Sequence, residues 1–124
     1  MTETRPPFKP EINAVTLTTS DMEAAVAFYR IVGMTVVYGG EEASSFTSLR
    51  FGSNFVNLTA DEGGHTGLWG RVIFHVESPD ELWAAFVDAG YEPSFEPRDA
   101  DWGERYFHIL DPDGHELSFA RRLD

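Results

Sequence analysis

Four histidines are the side chains of this sequence best suited to bind a metal ion or to transfer a proton: His65, His75, His108 and His115. None of them forms an H-x-H pair or an H-E-x-x-H helix, so the sequence contains no local metal-binding motif. It also contains no cysteine, which excludes thiolate zinc sites, a cysteine nucleophile and disulfides. For each histidine, hydrogen bonding within the fold is the competing hypothesis. Strand periodicity singles out His75, because it predicts that this ring faces a pocket.

A second chemically interesting segment is the acidic stretch around Trp102. Asp99, Asp101 and Glu104 flank this indole. One hypothesis is a solvated loop, and the other is a rim that binds a cation, with the indole as a flat stacking surface. The formal net charge of the chain is −12, which repels phosphate backbones and attracts cationic ligands. We therefore expect no nucleic-acid partner.

Two repeats of one element order are predicted to position these side chains. Each repeat has a strand, a capped helix that ends at a glycine, and three further strands. The capping sequences begin at Ser20 and Ser78, and the terminating glycines are Gly33 and Gly90. Turns are predicted at residues 52–53 and 111–114. The predicted strands are 12–19, 34–38, 46–51 and 55–59 in the first repeat, and 72–76, 91–95, 105–110 and 116–120 in the second.

A length of 124 residues, 42% of them hydrophobic, predicts one folded domain. We expect an irregular N-terminal arm at residues 1–10, followed by a single domain at 11–124. Within that domain, module one covers about 11–60, a glycine-rich linker 61–70, and module two about 71–122. One helix per four-stranded sheet leaves the other face of each sheet uncovered. The predicted fold is therefore α+β, with two βαβββ modules that pair into cup-shaped mixed sheets and helices on the outer face.

The N-terminal residues lack the apolar run of a signal peptide, and no stretch approaches the roughly 18 apolar residues of a membrane span. We therefore expect a cytoplasmic protein with no membrane partner.

Several motifs resemble those of the vicinal-oxygen-chelate superfamily, which includes glyoxalases, bleomycin-resistance proteins and extradiol dioxygenases. Residues 15–21, 27–29 and 33–34 resemble the opening of a first module of that family. Residues 102–107, followed by the Asp-Pro-Asp-Gly turn at 111–114, resemble the end of a second module. The resemblance covers nearly the whole chain after the arm. It is more specific for fold than for function, because this fold hosts many chemistries.

Enzymes of this family hold a divalent metal with His, Glu or Gln at four strand positions, two per module. The matching positions of this chain are Ala14, Asn57, Arg71 and Ser118. Alanine has no donor atom and arginine carries a permanent positive charge, while the amide and the hydroxyl are weak neutral donors. The resemblance therefore implies the branch without a metal cofactor, nearest to the bleomycin-resistance proteins.

The function implied by this branch is antibiotic resistance through binding. The protein would sequester an aromatic or cationic small molecule without a metal, with Trp102 and Gly103 close to the ligand groove. The resemblance also implies a homodimer whose cups form across two chains. The alternative is a glyoxalase- or dioxygenase-like lyase or isomerase that uses a divalent metal at shifted positions, His75 with one of Glu116, His65 or His108. The predicted ligand-binding residues are Thr16, Asn57, Arg71, Ile73, His75, Trp102, Arg105 and Ser118.

Overall fold

The computed structural model describes residues 12–63 and 69–124. The predicted arm at 1–10, the middle of the predicted linker and His65 lie outside these ranges. Within them, the structure confirms the α+β class and the two βαβββ modules.

The first module contains β1 (Ala14–Thr19), α1 (Met22–Ile31), β2 (Thr35–Tyr38), β3 (Phe46–Phe51) and β4 (Asn54–Ala60). Its strands form the first sheet in the order β1-β4-β3-β2. β1 runs parallel to β4, and the other neighbours are antiparallel.

The second module contains β5 (Val72–His75), α2 (Pro79–Asp88), β6 (Arg98–Asp99), β7 (Glu104–Leu110) and β8 (Glu116–Arg122). The second sheet repeats the topology of the first, with the order β5-β8-β7-β6. β5 is parallel to β8, while β6 and β8 are antiparallel to β7.

The predicted strand at 91–95 is wrong. The strand that pairs with β7 at this edge is the two-residue β6, further along the chain. Pro93 has no N–H to donate to a ladder. The Tyr91 ring instead packs on two core rings, at centroid distances of 5.2 Å from Phe28 and 5.7 Å from Phe86. Burial of this aromatic side chain therefore determines the local path of the chain.

The two helix starts differ in how far the sequence predicted them. Ser78 caps α2 as predicted, because its side chain accepts a hydrogen bond from Glu81 N. The predicted cap of α1 is off by one residue: Asp21, not Ser20, accepts from Ala24 N. The Ser20 backbone N–H and hydroxyl both donate to Asp113 Oδ1, at 2.7 and 3.0 Å. Ser20, which the capping motif predicted as the N-cap of α1, therefore forms a contact between the modules instead.

One hydrophobic core joins the two modules. The helix-bearing faces of both sheets contribute to it. Phe28 of α1 lies 4.8 Å from Phe86 of α2, and Phe51 of β3 lies 5.1 Å from Phe74 of β5. In the described residues no strand of one sheet pairs with a strand of the other, so the two modules form two separate sheets. No helix of the described ranges is long and apolar enough to cross a membrane.

Polar contacts across the modules centre on the turn between β7 and β8. Tyr29 OH donates to Asp111 Oδ2 at 2.8 Å, and the backbone N–H groups of Asp113 and His115 donate to Asp111 Oδ1. The buried His115 ring accepts from the Trp69 indole at Nδ1 and donates from Nε2 to the Thr18 carbonyl, both at 2.8 Å. An indole only donates and a carbonyl only accepts, which fixes this neutral tautomer. The intermodule clasp, as we call this network, comprises Ser20, Tyr29, Asp111, Asp113 and His115.

Candidate ligand-binding site

The open face of each sheet is the face that carries no helix. Alternation along β5 places Ile73 and His75 on the open face of the second sheet, while Phe74 between them is buried. Ser118 and Ala120 of β8 lie opposite these two residues. Parity therefore brings three of the predicted ligand-binding residues, Ile73, His75 and Ser118, onto one face. Ser118 is only 4% exposed.

Four rings on and beside β7 form a contiguous aromatic cluster on this face: Phe95, Trp102, Tyr106 and His108. The centroid distances are 5.3 Å from Trp102 to Tyr106, 5.2 Å from Tyr106 to His108 and 5.2 Å from His108 to Phe95. The Arg98 guanidinium lies 3.6 Å from the Phe95 centroid. Trp102 is 66% exposed, so its indole offers a stacking surface to solvent.

Glu104 connects the aromatic cluster to β5. Its Oε1 accepts from the Trp102 indole N–H at 3.0 Å, and its Oε2 lies 2.8 Å from His75 Nε2. The hydrogen bond to His75, followed by that to Trp102, lowers the pKa of the Glu104 carboxyl. Glu104 is therefore ionised at neutral pH, at the point where the aromatic rings meet the histidine.

Glu116, the other carboxylate of this face, is already paired with a cation, the Arg71 guanidinium. Glu116 Oε2 accepts from Arg71 Nε at 2.9 Å, and the Arg71 Nη2 group contacts the same oxygen. His108 Nδ1 lies 3.7 Å from Glu116 Oε1. Burial, and then the charge of Arg71, lowers the pKa of His108. This histidine is therefore predominantly neutral at neutral pH and behaves as an aromatic ring.

A cleft of about 770 Å³ lies between β1 and β5, which are edge strands of their respective sheets. Its walls are mostly apolar and come from both modules. Three polar side chains of the second module line it: Arg71, His75 and Glu104. Since Glu104 also bonds to Trp102, the cleft and the aromatic cluster share this carboxylate. The apolar lining residues include Ile12, Ala14, Val15, Phe55, Ile73 and Phe74.

Three predicted site residues lie elsewhere. Thr16 and Asn57 are neighbours on the open face of the first sheet, where the amide donates weakly to the hydroxyl at 3.4 Å. Arg105 points away from the cleft, towards α2, because β7 alternation places it opposite to Glu104 and Tyr106. Its guanidinium is held by Asp80 and Asp99 at 3.0–3.1 Å. The structure therefore does not bring Arg105 together with the cleft residues. Asp99, one of the acidic residues near Trp102 in the sequence, forms an ion pair with Arg105.

The donor set of the described residues does not fit the metal that the fold family uses. Of the four matching positions, Ala14 has no donor, and Arg71 is a cation bound to Glu116. Asn57 and Ser118 are uncharged. Nor do the described residues gather three or more His, Asp or Glu side chains into a possible metal site, and His65 lies outside them. Among the shifted ligands that the alternative hypothesis names, Glu116 is engaged by Arg71.

The predicted ligand-binding set lacks four residues that the structure places at this site: Glu104, Tyr106, His108 and Phe95. Of these, Glu104 entered only the rim hypothesis and His108 only the metal-dependent alternative. Three of the four alternate along β7 on the same face as Trp102, so strand parity could have indicated them. Phe95 could not be placed in this way, because it lies outside any strand of the structure. The pairing of Glu104 with His75 spans 29 residues and becomes visible only in three dimensions.

Comparison with known proteins gives one family. A family model described as the Glyoxalase/Bleomycin resistance protein/Dioxygenase superfamily matches residues 11–119. No curated protein matches the sequence.

Among solved structures, a bleomycin-binding protein complexed with bleomycin is 19% identical with a TM-score of 0.72, over 92% of this chain and 99% of that one. A bleomycin resistance determinant encoded on the transposon Tn5 is 18% identical with a TM-score of 0.74, over 90% and 98%. TioX from Micromonospora sp. ML1 is 23% identical with a TM-score of 0.74, over 91% and 99%. At these identities, the likeness to solved structures shows the fold.

Proposed function

The chain belongs to the glyoxalase/bleomycin resistance protein/dioxygenase superfamily, and we propose that within it this protein is a small-molecule binding protein. It holds a flat aromatic or cationic ligand against the aromatic cluster and the adjoining cleft, and it sequesters that ligand without a metal. The observation that carries the proposal is the partly exposed aromatic cluster beside an apolar cleft and an ionised carboxylate. Apolar pockets with a few convergent polar groups are the usual form of small-molecule sites.

The chemistry of the site supports binding over turnover. Its most accessible group is the Trp102 indole, which offers a ring face but no acid, base or nucleophile. The four metal positions do not carry a ligand set, as described above. Two of the similar structures are of a bleomycin-binding protein and a bleomycin resistance determinant. Antibiotic resistance by sequestration is therefore the role that we propose.

We also propose that the protein is a homodimer. The open face and edge of the first sheet expose large apolar side chains, with Tyr38 at 67%, Val37 at 44% and Phe46 at 37%. Contiguous exposed apolar surface of this kind often marks an interface. A second chain that covers this face would complete a cup from two open faces. Light scattering after size exclusion tests this proposal: we expect twice the 13.9 kDa chain mass, and a monomer mass would contradict it.

The binding proposal is tested with proflavine, a planar aromatic cation, by quenching of tryptophan fluorescence and by calorimetry. We expect saturable binding to the wild-type protein. Trp102→Leu should weaken it by about tenfold or more, the equivalent of ~1.4 kcal/mol. Trp83→Phe is the matched control, because it removes an indole from α2 rather than from the site. Absence of saturable binding, or equal affinity in Trp102→Leu, would contradict the proposal.

The metal-free part of the proposal needs its own measurement. The melting temperature is followed while Ni²⁺, Zn²⁺, Mn²⁺ or Fe²⁺ is added to the protein. A ligand bound only by the folded state raises the midpoint by mass action. We expect no shift from any of these ions, and a saturable stabilisation by one of them would revive the metal-dependent alternative.

A further inference from the structure

We propose that Glu104 is the residue that selects a positive charge on the ligand, and that the preferred ligand is an aromatic ring system bearing an N–H cation next to the ring. This inference rests on the proposed function and assigns the charge recognition of that site to one carboxylate.

No arginine or lysine of the described residues forms a salt bridge with Glu104; its one ion-pair partner there is His75. Glu116, the other acidic residue of this open face, is bound by Arg71. Glu104 instead accepts from a neutral indole and contacts a histidine, which is charged only when protonated. Arg122 lies opposite on β8 and acts on Glu104 only through its field. Because its partners are a neutral indole and a histidine, this carboxylate can form an ion pair with a cationic group of a ligand.

The Glu104 carboxylate lies beside the stacking surface of Trp102. The hydrogen bond from the Trp102 N–H to Glu104 is 3.0 Å long and fixes one edge of the indole beside the carboxylate. A ring that stacks on Trp102 therefore brings its substituents close to Glu104. Charge-assisted hydrogen bonds to a carboxylate are roughly twice as strong as neutral ones, so an N–H cation on the ring gains more than a neutral substituent.

The part of the cleft lining that comes from β1 and β4 carries no charge, and Arg50 of β3 lies outside that lining, with its guanidinium 5.4 Å from the centroid of the Phe55 ring. The residues of β1 and β4 that line the cleft are Ala14, Val15, Asn54, Phe55 and Val56, all of them neutral. The cations on this side of the second module are Arg71, which is engaged by Glu116, Arg98, whose guanidinium lies over the Phe95 ring, and Arg122. His75 is an example, within the protein, of the kind of group that Glu104 binds: a flat ring whose Nε2 lies 2.8 Å from Oε2.

The experiment uses two probes with the same ring system. 9-(Aminomethyl)anthracene carries an ammonium group, and 9-anthracenemethanol carries a neutral hydroxyl in its place. Dissociation constants are measured by fluorescence for the full-length wild-type protein, for Glu104→Gln and for Asp80→Asn. Gln keeps an oxygen that accepts from Trp102. Asp80→Asn is the matched control, because it removes one negative charge on α2, where Asp80 pairs with Arg105.

We expect the wild-type protein to prefer the ammonium over the alcohol by about tenfold. Glu104→Gln should reduce this ratio to about one by weakening the binding of the ammonium far more than that of the alcohol, and the remaining binding of the alcohol shows that the variant is folded. Asp80→Asn should keep the ratio. Equal affinities in the wild-type protein, or a ratio that survives in Glu104→Gln, would overturn the inference alone. If neither probe binds, the proposed function fails and this inference fails with it.

Discussion

Tyr29→Phe removes one hydroxyl from the intermodule clasp, and we expect it to lower the free energy of unfolding by about 1.5–3 kcal/mol. Tyr29 is fully buried and Asp111 is 4% exposed. The hydroxyl is the donor to Asp111 Oδ2, whereas Oδ1 keeps its two backbone donors. The variant therefore leaves one oxygen of a buried carboxyl without a partner, and the cost is the full desolvation penalty of that atom.

Urea unfolding followed by circular dichroism measures this loss, and thermal melting should show a decrease of about 5–12 °C for a chain of this size. The matched control is Tyr91→Phe. Tyr91 packs on the same core rings, but its hydroxyl makes no hydrogen bond in the described part of the chain. That control should change stability by less than about 0.5 kcal/mol. Equal losses in both variants would refute the role that we assign to the clasp.

The pH dependence of the same pair gives a second readout. Burial raises the pKa of Asp111 above its usual 3.8, and the hydrogen bond from Tyr29 works against this rise. A raised carboxyl pKa means that stability is lost as the pH rises from the unfolded value through the folded one. Tyr29→Phe raises this pKa further, so its destabilisation should be larger at about pH 8 than at about pH 4. A loss that is the same at both values would refute the electrostatic part of the argument.

Three further predictions concern other parts of the chain. Asp21→Ala should cost about 1 kcal/mol in urea unfolding, since it removes the observed cap of α1; no loss would contradict that cap. Gly39→Ala should cost more than Gly52→Ala, because both have positive φ but a Cβ at Gly39 would clash with the backbone carbonyl oxygen of Phe46; equal losses of melting temperature would contradict this. If His75, whose Nε2 lies 2.8 Å from Glu104 Oε2, competes with a ligand cation for this carboxylate, His75→Ala should bind the ammonium probe several-fold more tightly than the wild-type protein and the alcohol probe equally well; an unchanged affinity for the ammonium would contradict the competition.

Local periodicity was sufficient to predict most of the fold. Alternation located β3 at its observed bounds and placed β7 and β8 within two residues at each end. Glycines at positive φ end both helices, as the motifs predicted. Strand alternation and helix-ending glycines depend only on neighbours in the chain, so they can be recognised without knowledge of the tertiary structure. The exceptions are the segment around Tyr91 and the cap of α1, where contacts between distant residues override the local preference.

The candidate site was less predictable, because its members interact over long sequence distances. Parity placed Ile73 and His75 on the open face, as the structure has them. It could not show that Glu104 lies against His75, or that Arg105 is held by Asp80 on the opposite face. Side-chain partners decide whether a charge is available to a ligand, and a single sequence does not reveal them.

The clasp also makes the two modules unequal. The turn in the first module between β3 and β4 is a tight two-residue connection, whereas its counterpart between β7 and β8 holds a buried carboxyl and histidine against the other module. A chain built from two copies of the first module would repeat the strands and the helix but would have no such turn. By contrast, a circular permutant that begins with the second module would keep every clasp contact, because none of them depends on which module comes first. Replacing the second module by a copy of the first therefore removes the clasp, whereas reversing the order of the modules does not.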